Sequence, residues 1–252
     1  MLDTSSRFPP RRTLRARRRR GARRRLLHMA LLVGLPCVGT HAEPIDLSFS
    51  VASATVLRGV VLGEGGVDAH AAASYSDSSG WRAALGATAL HAKAARRRWD
   101  AQLFWRLGYA RRVDDDWSVQ LAHARYAYPG SALLRRYGRD ELGATLAYRD
   151  RLYLSIAGLR RAESSAGGSR DSVAYDIVAR HALPSALEAS AGIGYLEARG
   201  SSFAYAYGHL GLGAQWGATH AQLSYVATGS AAKQRFGAAA ANRWTASLSW
   251  DL

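Results

Sequence analysis

The chain has 252 residues, 34 of them Lys or Arg and 19 Asp or Glu, for a formal net charge of +15. Eleven of the basic residues crowd into positions 1–42 beside one acid, Asp3, so residues 43–252 carry only a net +5 with charges interspersed, which excludes the concentrated basic face of a nucleic-acid binder. The single cysteine, Cys37, falls in the same leading segment, so the body has no disulfide, no thiol nucleophile and no Cys-ligated zinc.

Residues 1–42 read as a secretory leader. The arginine block "RRTLRARRRRGARRR" precedes an apolar run from Leu26, "LLHMALLVGLPCVG", and Thr40-His41-Ala42 offers small residues to a signal peptidase. The run is shorter than the ~20 residues a membrane-spanning helix needs. Cleavage before Glu43 and Sec-type export follow as expectations. Arg11-Arg12 is a chance pair in so arginine-rich a stretch, and Pro36 before Cys37 argues against lipidation.

From Glu43 onward the chain alternates. Successive side chains leave a pleated strand on opposite faces, so apolar and polar residues at period two mark a strand. Ile45, Leu47, Phe49 and Val51 oppose Asp46, Ser48 and Ser50; Val67 to Tyr75 oppose Asp68, His70 and Ser74. Trp81, Ala83 and Leu85 oppose Arg82; Trp99 to Tyr109 oppose Asp100, Gln102 and Arg106; Trp117, Val119 and Leu121 oppose Ser118 and Gln120. The pattern returns with Leu142 to Tyr148 against Glu141 and Arg149, Leu152 to Ile156 against Tyr153 and Ser155, and Val173 to Ile177 against Asp176 and Arg180. Leu187 to Tyr195 oppose Glu188 and Ser190, Leu210 to Trp216 oppose His209 and Gln215, and Ala221 to Tyr225 oppose His220 and Gln222. The last strand sets Trp244, Ala246, Leu248, Trp250 and Leu252 against Arg243 and Asp251. With a less clear strand near 54–60, either separate or a continuation of the first, the count is about twelve, an even number as in bacterial barrels. The 210 residues after the leader leave roughly 17 per strand, and a spanning strand needs ~9–11. Gly-, Ser-, Asp- and Arg-rich connections fill the rest: 77–80, 111–116, 129–140 and 163–171.

Three features turn the apolar face toward lipid. Aromatics sit at the ends of that face, among them Trp81, Trp99, Tyr109, Trp117, Tyr148, Tyr195, Trp216, Trp244 and Trp250, as in the girdles of membrane barrels. The opposite face is small and polar, with almost no lysine. The segment Trp244–Leu252 has the form of the terminal strand that barrel-assembly machinery reads. Arg106 on the outer face near the midplane would cost ~2–4 kcal/mol, so it and its alternates belong in the lumen. The expected architecture is all-β: a transmembrane antiparallel β-barrel over 43–252, preceded by a cleaved signal peptide.

The order of several motifs resembles the proteobacterial TorF-type porin family, whose members lack an established activity. Arg58-Gly59 ends an early strand, Gly80-Trp81 opens a later one, Asp100 precedes the Gly108-Tyr109 strand, and Tyr126-x-Tyr128-Pro129-Gly130 leads to Glu141 at a strand start. The resemblance covers roughly 51–157, with Val60-Val61-Leu62 where the family is polar. It implies an outer-membrane barrel and solute diffusion, and brings no catalytic residues.

No constellation for catalysis, metal or cofactor stands out. His70 lies two residues after Asp68 on one face, the strongest pair for a lipid-modifying site, and reads better as a hydrogen-bonded lumen pair. Asp114, Asp115 and Asp116 read as a solvated turn. The expected lumen residues are Arg58, Asp68, His70, Arg82, Asp100, Gln102, Arg106, Glu141, Arg149, Asp176, Arg180, Glu188 and Arg243. With Asp46, they set six arginines against six acids, so neither charge dominates. The expectation is a monomeric outer-membrane barrel of a Gram-negative bacterium, contacting lipid and passing small hydrophilic solutes. The alternative is a structural or adhesive barrel whose lumen is plugged by Arg–Asp/Glu pairs.

Overall fold

The computed structural model describes residues 45–63, 65–91, 99–130, 132–161 and 171–252. The expected leader, 1–42, and nearly all of the 163–171 connection lie outside the described residues. Among the described residues twelve strands close into one antiparallel barrel. It begins with β1 (Ile45–Ala52) and resumes after a small hairpin, β2 (Thr55–Leu57) and β3 (Val60–Leu62). The wall then runs through β4 (Asp68–Ser76), β5 (Trp81–His91), β6 (Trp99–Arg112), β7 (Trp117–Ala127), β8 (Arg139–Tyr148) and β9 (Leu152–Arg161). It continues through β10 (Asp171–Ala182), β11 (Leu187–Ala198), β12 (Ala204–Trp216), β13 (Thr219–Thr228) and β14 (Arg243–Asp251). β1 closes the ring against β14, with Phe49 opposite Trp250 and Val51 opposite Leu248. Closure leaves no sheet edge, the condition for a sheet to exist in hydrocarbon.

The two ends differ. Connections after β4, β6, β8, β10 and β12 are tight turns, and Ile45 and Asp251 share that end. Turn chemistry is local: Asp77 Oδ1 accepts hydrogen bonds from Ser79 Oγ (2.7 Å) and the Trp81 amide (2.9 Å). Asp114 Oδ1 likewise accepts from the amides of Asp116 (2.8 Å) and Trp117 (2.7 Å), so the acidic triplet builds a turn. The opposite, loop end carries the β2–β3 hairpin, the helix α1 (Ala132–Arg135), the helix α2 (Ser230–Phe236) and a 3₁₀ turn (Gly237–Ala240).

The alternation separates the two faces of the wall. Leu85, Leu142, Ile193 and Leu210, all mid-strand and outward, are 64–67% exposed. A continuous exposed apolar surface of this extent is incompatible with water and suits acyl chains. Aromatic pairs hem the band: Trp81 with Tyr109 (5.5 Å between ring centroids) and Trp117 with Tyr148 (4.8 Å) at the short-turn end, Tyr225 with Trp244 (5.2 Å) toward the loop end. Outward charges keep to strand ends, as with Arg125 beside Asp140 (3.8 Å).

Inside, the segment 54–60 does not continue β1. Its Arg58 and Gly59 take positive φ (47° and 81°), the two-residue turn that lets β2 fold back on β3. The resulting hairpin inserts into the lumen. Leu62, 1% exposed, packs with Leu90, Ala124, Tyr126, Tyr128 and Leu134; Val60 packs with Leu196, Tyr205, Tyr207, Ala232 and Ala240; Val56 and Val61 meet Val226. Most of the apolar core sits in the loop-side half of the barrel, around this hairpin.

Candidate functional site

The hairpin tip reaches across the barrel. Arg58 donates through Nη2 to Glu141 Oε1 (2.5 Å) and through Nη1 to Glu141 Oε2 (3.4 Å), a two-pronged contact with β8. Arg139 Nε donates to the same carboxylate (3.3 Å), so one acid serves two arginines. Arg58 and Arg139 are 5% and 4% exposed. Burial of the Arg58 guanidinium works against its charge, and Glu141 more than offsets this, holding the group above its ordinary pKa. On the far side, a Cβ on Gly59 would run into Thr228 Cγ2 and crowd Tyr207 Cβ, so only glycine seats the tip against β12 and β13.

The base of the hairpin is tied as firmly. The Asp68 carboxylate, at the start of β4, accepts from the amides of Thr55 (2.6 Å) and His91 (2.7 Å). The expected Asp68–His70 pair therefore does not form. His70 Nδ1 instead meets Thr88 Oγ1 (3.0 Å), and its ring stacks on Phe104 (5.5 Å). Gln102 Nε2 donates to Tyr128 Oη (2.5 Å), and Tyr207 Oη donates to Asp176 Oδ1 (2.6 Å). Below the hairpin, toward the short turns, a cavity of about 300 Å³ is bounded by Ser48, Ser50, His70, Gln102, Arg106, Gln222, Ser247 and Asp251. A larger hollow of about 900 Å³ runs over Ala206, Gly208, Ala227 and Gly229 between Leu154, Ile156, Ile177 and Ile193; these are lipid-side residues, so it is part of the outer wall.

The residues expected in the lumen divide into three groups. Arg58, Asp68, His70, Gln102, Glu141 and Asp176 gather around the hairpin. Arg82, Asp100, Arg106, Arg180 and Glu188, with Asp46, occupy inward alternate positions along the wall. Two others act elsewhere. Arg149 stands past the end of β8 in a turn, 56% exposed, and bonds Asp116 through Nε (2.8 Å) and Nη2 (3.1 Å) at the rim. Arg243 donates to the carbonyls of Ala238 (2.5 Å) and Ala241 (3.2 Å), fixing the 3₁₀ turn over the mouth. Arg58 itself belongs to the inserted hairpin and not to the wall.

Arg139, Arg161, Tyr205 and Tyr207 join the hairpin's surroundings without having been expected there, as do Tyr126 and Tyr128, which stood out in the sequence only as part of a motif. A signal existed for two of them. Arg139 is two residues before Glu141, and Arg161 continues the Tyr153, Ser155, Ala157 face, so period two places both on the inner side. They stand directly opposite each other across β8 and β9.

No family model matches the chain, and no curated protein matches it either. Solved structures do. The NanC porin superposes with a TM-score of 0.54 at 13% identity, covering 82% of this chain and 100% of that one. The KdgM porin gives 0.48 at 8% identity over 82% and 97%, and LpxR from Salmonella typhimurium gives 0.47 at 9% identity over 82% and 99%. The likeness to NanC shows the fold, a closed twelve-stranded barrel of the outer-membrane porin type.

Proposed function

We propose that this chain is an outer-membrane porin, passing small hydrophilic solutes by diffusion without transforming them. The observation that carries the reading is the cavity of about 300 Å³ inside a lipid-facing wall, ending at the hairpin, whose lining mixes serine, histidine, glutamine and arginine with apolar side chains such as Val56 and Phe104. Serines, His70, Arg106 and Gln222 there offer hydrogen bonds that replace part of a solute's hydration, while β2 and β3 set the narrowest section. Short turns face the periplasm in barrels of this class, so the hairpin guards the extracellular mouth. The motif order shared with TorF-type porins and the porin fold support the same reading. Residues Trp244–Leu252 supply the terminal strand for assembly.

A specific observation favours a second reading, a closed structural barrel: the two-pronged Arg58–Glu141 contact and the buried Val60-Val61-Leu62 stopper the lumen. Swelling of proteoliposomes in an iso-osmotic monosaccharide separates the two. Swelling with the unaltered protein supports the porin. Swelling only after residues 54–66 are replaced by a short turn supports the closed barrel, and none in either case overturns solute passage.

A further inference from the structure

The lumen charges, balanced when counted along the sequence, are unbalanced in space. At the loop-side mouth Arg139 and Arg161 form a directly opposed cross-strand pair on the inner face of β8 and β9. Like charges in that relation repel and destabilise a sheet unless something compensates them. Arg235 of α2 adds its charge to Arg161 from above, where its guanidinium lies over the Phe203 ring (4.2 Å). Arg58 arrives from the hairpin. Against these four cations stand three acids around the hairpin, all engaged: Glu141 by Arg58 and Arg139, Asp176 by Tyr207, and Asp68 by the Thr55 and His91 amides. Arg139 also lies over the Tyr126 ring (4.0 Å). Among the described residues Arg161 makes no salt bridge. Arg58 Nε and Arg139 Nη2 are fully buried with no protein acceptor. Buried guanidinium donors of this kind call for an oxygen acceptor carrying negative charge.

We propose that Arg161, Arg139 and Arg58 form an oxyanion site at the loop-side mouth, taking the carboxylate or phosphate group of a solute. The planar guanidinium matches both groups in a two-pronged fashion. An anion docked against the half-buried Arg161 relieves the repulsion between the opposed arginines, with Arg139 and Arg58 adding their charge from behind it. In the porin reading, on which the transport side of this inference rests, the same cluster makes the pore prefer anions, because a ring of one sign sets selectivity.

Two measurements on the full-length chain refolded in detergent test the site. Calorimetric titration with inorganic phosphate and, separately, with acetate reads binding and tells the two groups apart. Binding of either supports the site, with Arg161→Gln weakening it about tenfold, the effect of losing one charge-assisted hydrogen bond. Binding of neither, or binding unchanged in Arg161→Gln, overturns it. Reversal potentials in a potassium chloride gradient then read selectivity. An anion-preferring potential that moves toward cations in Arg161→Glu supports the proposal, and a cation-preferring or unselective pore overturns it. A barrel that binds phosphate yet carries no current keeps the site and refutes only the channel.

Discussion

Arg58 and Glu141 carry different burdens in the cluster they share. Removing the Arg58 side chain leaves Glu141 with Arg139 as a partner, whereas neutralising Glu141 strands two buried guanidinium groups. Breaking a buried pair from one side costs about 3–5 kcal/mol. Glu141→Gln is therefore expected to lower the urea midpoint of the refolded barrel more than Arg58→Ala; equal midpoints would count against the shared carboxylate. The rim pair is a contrast. Asp116 is held below the ordinary carboxylate pKa by the hydrogen bond from Arg149, so whatever the pair contributes is present above the ordinary value and is lost as pH falls through the lower folded one. Both groups are open to water, and Arg149→Ala is expected to leave the neutral-pH unfolding midpoint unchanged within error. At this scale the strand residues were legible, since period two decides which way Asp176 or Gln102 points. Arg149 was not, because it lies in a turn, where alternation stops; Arg58 does lie inside the barrel as expected, but it gets there from a turn and not from a wall strand.

The β2–β3 hairpin is the element that alternation could not reveal. Val60, Val61 and Leu62 are apolar in succession because both faces of β3 are covered inside the barrel, and a fully covered strand has no polar side to reveal its period. Its turn, Arg58-Gly59, lacks the Asn-Gly or Asp-Gly pair that marks a tight hairpin most clearly. The wall does not depend on it. β1 and β4 pair along their whole length, from Ile45 opposite Tyr75 to Ala52 opposite Asp68. Replacing residues 54–66 with a short glycine-containing turn is therefore expected to preserve a folded barrel, seen as retained heat-modifiable migration on a semi-native gel. Loss of that migration would make the hairpin a part of the folding core. Tyr207 and Tyr205, by contrast, were unremarkable in sequence, and their importance comes from meeting a hairpin distant along the chain.

The molecule as a whole is organised by what each face of one sheet touches. Leucines and isoleucines that would be buried in a soluble protein are exposed along the outer wall, and the aromatic pairs near the strand ends mark the two headgroup levels. Strand count, closure and facing were readable from Ile45 to Asp251, because every strand repeats one rule. The placement of a loop inside the lumen was not, because it follows from long-range contacts. Leu210→Arg, mid-strand and outward, is expected to destabilise the bilayer-inserted barrel by ~2–4 kcal/mol, whereas Gln222→Arg on the lumen face does so far less. Equal costs would mean that the outer face does not meet lipid. The most direct test of the account is single-channel recording in planar bilayers of the unaltered protein beside the variant lacking residues 54–66. Small, salt-dependent current steps are expected from the first and severalfold larger ones from the second. Steps of one size from both, or none from either, would contradict a polar lumen narrowed by the Arg58 hairpin.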